Sequence, residues 1–430
     1  MKTFLFPVPR KEAFYGRDYA GAKAIIENFK STNFSCKEVS CDLEVLEKEL
    51  QALDNPSQCI AISVPNSGYL LGLNLPFSRL RRLGSKILGG QNSRGVNIFK
   101  KYKIKTVVLW DDPFGQFTQS ILNIDPDNIT TEKCGVIRTL RNYFDDWDCQ
   151  HLAWDSGHLA WIKSLSFLPE RSLHFSPLPA HSAFLRPDQK RNTVRDLAFF
   201  GNIYLNKIYN DNFYKNDLIQ KILYEIKNNY HIVSGFENIN LIKKECLKIL
   251  KGTSKNLEDI SAFWPIYRNL IWYYINTEKR TQVLTNIKKK VNFFGNFADP
   301  KSGFLLGENI IFNGNLDFLK ELPSAFEETK ITIDITNSLS INGVTGKFYE
   351  CFASNGFMLI DYKSDLQELL GNSNGKKIMY KSLNELNDKI AYYLSHPKER
   401  EELRQNIKNI VIKNCSPQMW CSTIKSICGY

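Results

Sequence analysis

Short, almost uninterrupted apolar runs punctuate the first 180 residues: "FLFPV" (4–8), "QCIAISV" (58–64), "KTVVLW" (105–110), "CQHLAW" (149–154) and "LHFSPL" (173–178). Strands buried on both faces have this pattern, because a parallel sheet covered by helices leaves no polar side to alternate with. Helical segments lie between several of them, for example 21–30 and 135–144. The alternation predicts a doubly wound α/β domain. The polar, proline-bearing stretch "LRPDQKRNTVRD" (185–196) then reads as a linker.

The pattern restarts beyond it. "LAFFGNI" (197–203) and "YHIVSG" (230–235) are strand-like on either side of an amphipathic helix at 216–229, and 236–285 is mainly helical. "KVNFFGNF" (290–297), "NIIFNGN" (309–315), "KITIDI" (330–335), the apolar part of "TGKFYECFASNGFMLIDY" (345–362) and "KKIMY" (376–380) resume strands. Ser382 before Leu383, with Glu385 three residues on, is a capping box for a helix to Ser395. Pro397 breaks that helix, a charged helix follows to about 413, and 416–430 reads as a last apolar helix or tail. Two α/β domains of similar size are expected, their sheets facing each other across a cleft. Chemistry in open sheets of this kind sits outside the carboxyl ends of the strands.

A chain of 430 residues is too long for one ordinary core, which agrees with two domains. The 10 cysteines are scattered without CxxC or metal spacing, so reduced thiols and a cytoplasmic location are expected. The apolar run at the start is too short for a signal peptide, and no window is long enough to span a membrane. A net charge of +11 permits an anionic partner, but no nucleic-acid motif accompanies it, so a nucleic-acid partner is not expected. Arg79, Arg81, Arg82 and Lys86 interleave with leucine and isoleucine over 77–90, a basic amphipathic segment that suits either a peripheral membrane contact or an ordinary exposed helix.

The chain lacks GxGxxG, GxxxxGK[ST] and GxSxG, so a nicotinamide site, a P-loop and a hydrolase elbow are not expected. Gly201, Gly314 and Gly356 stand where strands should end. Glycine there lets backbone approach a phosphate, although Asn355-Gly356 reads as a helix C-terminal stop. Gly201-Asn202 is the stronger candidate, since Lys207 follows at short range. Lys347 and Glu350 share one helix face, while Val344, Phe348, Cys351 and Phe352 form the apolar one. Spacing alone makes this couple either a grip for a nucleotide or a surface ion pair.

"KFYECFASNGFMLIDYKSDLQELL" followed by "YYLSHPKER" resembles the C-terminal signature of GT-B glycosyltransferases, in particular the spore-maturation, CgeB-like branch. Lys347 stands where that family usually has Arg, and Tyr349-Glu350 where it has Phe-Glu. "DLAFFGNIYLNK" is similar to the entry of the family's second domain, and "FSPLPAHSAFLRP" to the stretch before it. The specific likeness covers about 310–411, with weaker support from 150–207.

The resemblance implies the GT-B fold: two Rossmann-like domains facing a central cleft. Residues 1–190 would bind the acceptor and 191–411 the nucleotide-sugar donor, with 412–430 a tail or helix packing back on the first domain. It implies metal-independent transfer of a sugar to a glycan, lipid-linked or protein acceptor, with no cofactor beyond the nucleotide-sugar co-substrate. Gly201, Asn202, Lys207, Gly314, Lys347 and Glu350 would hold the donor, Glu350 at its ribose. Relatives that retain configuration often carry a second acid eight residues earlier, where this chain has Asn342, so the stereochemistry stays open.

A catalytic base is expected from the first domain, with Asp112 and Asp18 preferred over Asp111, Glu12, Asp155 and His158 by strand-end placement. DxD triplets at 125–127 and 146–148 follow no evident buried strand. The alternative of a different class is a catalytically silent GT-B scaffold that binds glycan or a partner protein.

Overall fold

A computed structural model describes residues 3–8, 26–30, 35–40, 43–63, 98–110, 133, 135–145, 148–188, 191–203, 216–229, 239–250, 257–270, 275–296 and 307–429. Among these residues two six-stranded parallel sheets form the framework. The first is built from β1 (Thr3–Val8), β2 (Ser35–Ser40), β3 (Ile60–Ser63), β4 (Lys105–Trp110), β5 (Cys149–Ala153) and β6 (Leu173–Phe175), in the order β2-β1-β3-β4-β5-β6. The second contains β7 (Arg195–Phe200), β8 (Val291–Phe294), β9 (Ile310–Phe312), β10 (Thr329–Asp334), β11 (Met358–Asp361) and β12 (Met379–Tyr380), in the order β12-β11-β10-β7-β8-β9.

Side chains that alternate along a strand supply the two faces of the first sheet. Phe4, Phe6, Ile60, Ile62, Val107 and Leu109 pack on one face with Phe29 and with Trp420, Cys421 and Ile424 of the Pro417–Ile427 helix. Leu5, Ala61, Val108 and Trp110 pack on the other. That double burial is the physical cause of the unbroken apolar runs. The expectation missed β2, whose sequence "SCKEVS" buries only Val39. This half-exposed outer strand carries no such run.

The helices from Asp217–Asn229 to Phe263–Asn269 follow β7 in the chain, yet Ile222, Cys246, Ile260 and Trp264 share the core of the first sheet. Trp161 Nε1 donates to Glu258 Oε1 at 3.0 Å, and the Lys243 ammonium lies 4.7 Å from the Trp161 ring centre. This helical insertion between β7 and β8 therefore bridges the two sheets. The stretch before β7 runs along the Pro397–Cys415 helix, where Lys408 donates to Arg186 O at 2.8 Å and to Asp188 at 2.7 Å. Among the described residues no disulfide forms and no helix is long and apolar enough to cross a membrane.

Candidate functional site

In the second sheet the strand order reverses between β7 and β10, and crevices at such a switch point are where open α/β sheets take ligands. β7 ends at Phe200 and continues as Gly201-Asn202. β8 ends in the same tetrapeptide, Phe-Phe-Gly-Asn, and β9 in Asn313-Gly314-Asn315. The three ends are bonded side by side. Gly201 N donates to Phe294 O at 2.9 Å, Gly295 N to Gly314 O at 2.8 Å, and Asn296 N to Asn202 Oδ1 at 2.9 Å. Gly295 has φ +147°, and a Cβ on it would lie 1.8 Å from Gly201 O, so only glycine permits this approach. The expectation included Gly201, Asn202 and Gly314 but missed Gly295. The repeated tetrapeptide at 199–202 and 293–296 was the available signal.

Across the crevice, β10 ends at Asp334 and the Gly346–Ala353 helix begins after Thr345. Lys347 lies in the first turn of that helix. Its amine is 2.5 Å from Asp334 Oδ1 and donates to Phe200 O at 2.8 Å, so it ties β10 to β7 across the reversal. The surface pair with Glu350 that spacing allowed is not formed.

Glu350 is instead buried, only 7% exposed, and no side-chain hydrogen bond reaches it among the described residues. Burial pushes its carboxyl up to about 8, against the opposing pull of Lys347. Helical spacing had put Glu350 off the apolar face, and so outside the buried set. It failed because this short helix is covered on more than its apolar stripe, with residues 348–353 all buried.

Two further cations escaped the sequence reading, because they lie in a helix legible only as a helix. Arg280, in the Asn276–Thr285 helix, donates from Nη1 to Asn202 O at 2.6 Å and from Nε to Ile335 O at 3.4 Å. Lys279 is fully buried and donates to Asp361 Oδ2 at 2.9 Å, while Thr336 N and Oγ1 donate to Asp361 Oδ1 at 2.7 and 2.6 Å. Burial would raise the Asp361 carboxyl, but the charges of Lys279 and Lys363 and the Thr336 bonds outweigh it and bring it to about 2.

The carboxyl ends of the two sheets meet at β5. Asp155 caps the Ser156–Ser164 helix, its Oδ1 accepting from Gly157 N at 2.8 Å and His158 N at 3.1 Å. Its Oδ2 accepts from Ile341 N at 2.8 Å, Asn342 N at 3.1 Å and Gly343 N at 2.9 Å, all from the loop after β10. A carboxylate holding so many amides is a structural anion, which corrects its candidacy as a base. His158 is likewise buried, its Nε2 on Leu339 O at 2.7 Å. Asn342 Nδ2 donates to Ser156 Oγ at 3.0 Å, and Ser156 N donates to Asp365 Oδ2 at 2.9 Å.

Asn355 and Gly356 complete a helix stop, not a ligand loop. Asn355 has φ 64°, and Gly356 N donates to Cys351 O at 2.7 Å. Glu12, Asp18, Asp111, Asp112, Lys207 and the basic segment 77–90 lie outside the described residues. Among the described residues no group of three or more His, Cys, Asp or Glu side chains is arranged to hold a metal ion.

A family model described as glycosyl transferase-like matches residues 279–426, about a third of the chain, starting at the helix of Lys279 and Arg280. The solved structure of HepE from Anabaena in complex with UDP is similar over 99% of this chain and 100% of that one, at 8% identity and a TM-score of 0.50. T4 phage BGT in complex with UDP and Mn2+ aligns over 99% of each chain, at 12% identity and a TM-score of 0.49. No curated protein matches. The chain has the GT-B fold and carries a glycosyltransferase domain within it.

Proposed function

We propose that this protein transfers a sugar from a nucleotide-sugar donor, seated at the strand-order reversal of the second sheet, to an acceptor presented by the first domain. The observation that carries the reading is what converges at that reversal. Glycine-lined backbone ends from β7, β8 and β9 lie opposite Lys347, Arg280 and the buried carboxyl of Glu350. The cations suit a leaving diphosphate, whose charge must be stabilised as the glycosidic bond breaks, and glycine at the strand ends lets backbone come close to it. A carboxylate without side-chain donors of its own suits ribose hydroxyls. Gly201, Asn202 and Gly314 supply the backbone side of this site, and Lys207 belongs beside them in the same reading.

Transfer without a metal is part of the proposal, the cations taking that charge. Asp112 or Asp18 would deprotonate the acceptor hydroxyl. The acceptor is a glycan, a lipid-linked sugar or a protein, as in surface polysaccharide assembly or protein glycosylation. The enzyme would work in the cytoplasm or at the inner face of its membrane, with 77–90 as the contact. Within GT-B enzymes we place it nearest the CgeB-like branch, on the Lys347–Glu350 motif and the "YYLSHPKER" stretch.

HepE was solved with UDP, so UDP-sugars are the first donors to test. Calorimetry and slow donor hydrolysis, each with and without EDTA, should detect binding and turnover that survive chelation. If no nucleotide sugar binds and Glu350→Ala changes nothing, the reading fails.

A silent scaffold is the second reading. It is favoured by Asn342, whose amide is spent on Ser156 at the position where retaining relatives carry an acid. Turnover with any donor removes it.

A further inference from the structure

The loop that leads into the donor helix is held by the other domain. We infer that Asp155 is a positioning residue: from the end of β5 it sets the backbone of residues 341–343, and through them the approach to Lys347 and Glu350.

The inference rests on the proposed donor site but stands on its own geometry. Asp155 is fully buried, and its two oxygens divide their work. Oδ1 caps its own helix and shares Asn342 N at 3.2 Å, while Oδ2 takes all three amides that arrive from across the interface. Successive N–H groups converging on one anion form a rigid seat, and in a water-excluded place such charge-assisted bonds are strong. The packing leaves no slack. A Cβ on Gly343 would lie 3.0 Å from Trp154 O, and one on Gly157 would lie 2.4 Å from Ile341 Cγ2. Glycine on each side lets the two backbones touch. Ser156 closes the seam by donating its N–H to Asp365. Two residues beyond Gly343, Thr345 precedes the helix that carries Lys347 and Glu350.

The division of labour gives a selective variant. In Asp155→Asn the remaining oxygen still caps the Ser156–Ser164 helix, but an NH2 group now faces three N–H donors. Hydrogen exchange and UDP calorimetry on the full chain are the measurements. We expect exchange of the 341–343 amides to quicken at least tenfold in Asp155→Asn. UDP binding should weaken at least tenfold, and thermal stability should fall, because three buried N–H groups lose their acceptor.

In the donor hydrolysis assay, KM for the donor should rise more than kcat falls, because the residue places the site and touches no reacting atom. Gly343→Ala, which pushes the backbones apart without altering any charge, should reproduce the exchange and the UDP effect. If either variant folds and leaves both the 341–343 exchange and UDP affinity within twofold of the parent, the inference is overturned. Faster exchange with unchanged UDP affinity overturns it too, because the seat then holds the loop without positioning the site. If the parent itself binds no UDP and no nucleotide sugar, the donor reading has failed. Exchange at 341–343 then decides the interdomain seat alone.

Discussion

Lys347 passes over Glu350, its neighbour on the same helix face, and places its amine 2.5 Å from Asp334 Oδ1 at the end of β10. Glu350 is left as a buried carboxyl without a side-chain donor among the described residues, and its ordinary charge at neutral pH is suppressed. The Gly346–Ala353 helix thus carries one group that is already paired and one whose charge is suppressed by burial.

The pH dependence of stability follows from Glu350. Its carboxyl is raised to about 8 by burial, so its contribution is fully present below the unfolded value of about 4.5 and is lost as pH rises through 8. Glu350→Gln removes that loss. The variant should match the parent near pH 4 and exceed it by about 5 kcal/mol at pH 9, each pKa unit being worth about 1.4 kcal/mol. Urea unfolding at the two pH values checks this. Under the proposed ribose contact, UDP affinity of the parent should climb between pH 6 and 8, as the carboxylate forms, while that of Glu350→Gln stays flat and weak.

Lys347→Met should destabilise the second domain by about 3 kcal/mol, because it strands the Asp334 carboxylate, which is almost fully buried, without its partner. Lys347→Met combined with Asp334→Asn should recover most of that stability, since no charge is then left unpaired. The double variant should still bind UDP poorly if the amine serves the diphosphate. Recovery of both stability and binding would assign Lys347 to the fold alone.

Acid resistance should track Asp361. Its carboxyl is held at about 2, against the cost of burial, by Lys279, Lys363 and Thr336. A depressed carboxylate contributes stability above its unfolded value, near 3.9, and loses it as pH falls through the folded value. Asp361→Asn should therefore be destabilised by about 3 kcal/mol at pH 7, where it leaves the Lys279 ammonium buried and unpaired. The gap should persist to about pH 4 and close towards pH 2.

Most strands of both sheets could be read in the sequence because they are buried on both faces and so stand out as apolar runs, while the outer strand β9 was legible from an apolar run whose Ile311 and Phe312 are exposed. Strand β2 could not, since only Val39 turns inward. The helical insertion after β7 was legible as helices but not in its placement. A buried face such as that of Ile222 and Trp264 does not say which sheet will cover it. At the site, Gly201 and Gly314 were visible because glycine at a strand end has few other causes. Gly295 was hidden in a repeat of four residues. Arg280 was hidden because its role depends on which loops its helix reaches, a tertiary fact. Asp155 showed the opposite failure: a carboxylate after a strand suggested chemistry, and amides contributed from 186 residues away in the chain consume it.

Gly295 and Gly314 make the sharpest contrast for a last test. Both have positive φ, +147° and +77°, but their surroundings differ. A Cβ on Gly314 meets nothing within 4 Å, so Gly314→Ala should cost only the backbone strain, about 1 kcal/mol. A Cβ on Gly295 would overlap Gly201 O at 1.8 Å, and neither backbone can yield without parting β7 from β8. Gly295→Ala should therefore cost about 4 kcal/mol or more, at the extreme of single substitutions. It should also abolish UDP binding, because Gly201 and Asn202 lose their seat. Urea unfolding followed by the fluorescence of the tryptophans, with calorimetry at a urea concentration where both variants remain folded, separates the two effects. Equal behaviour of the two alanine variants would show that the strand ends are not packed as closely as the Gly201–Gly295 approach requires.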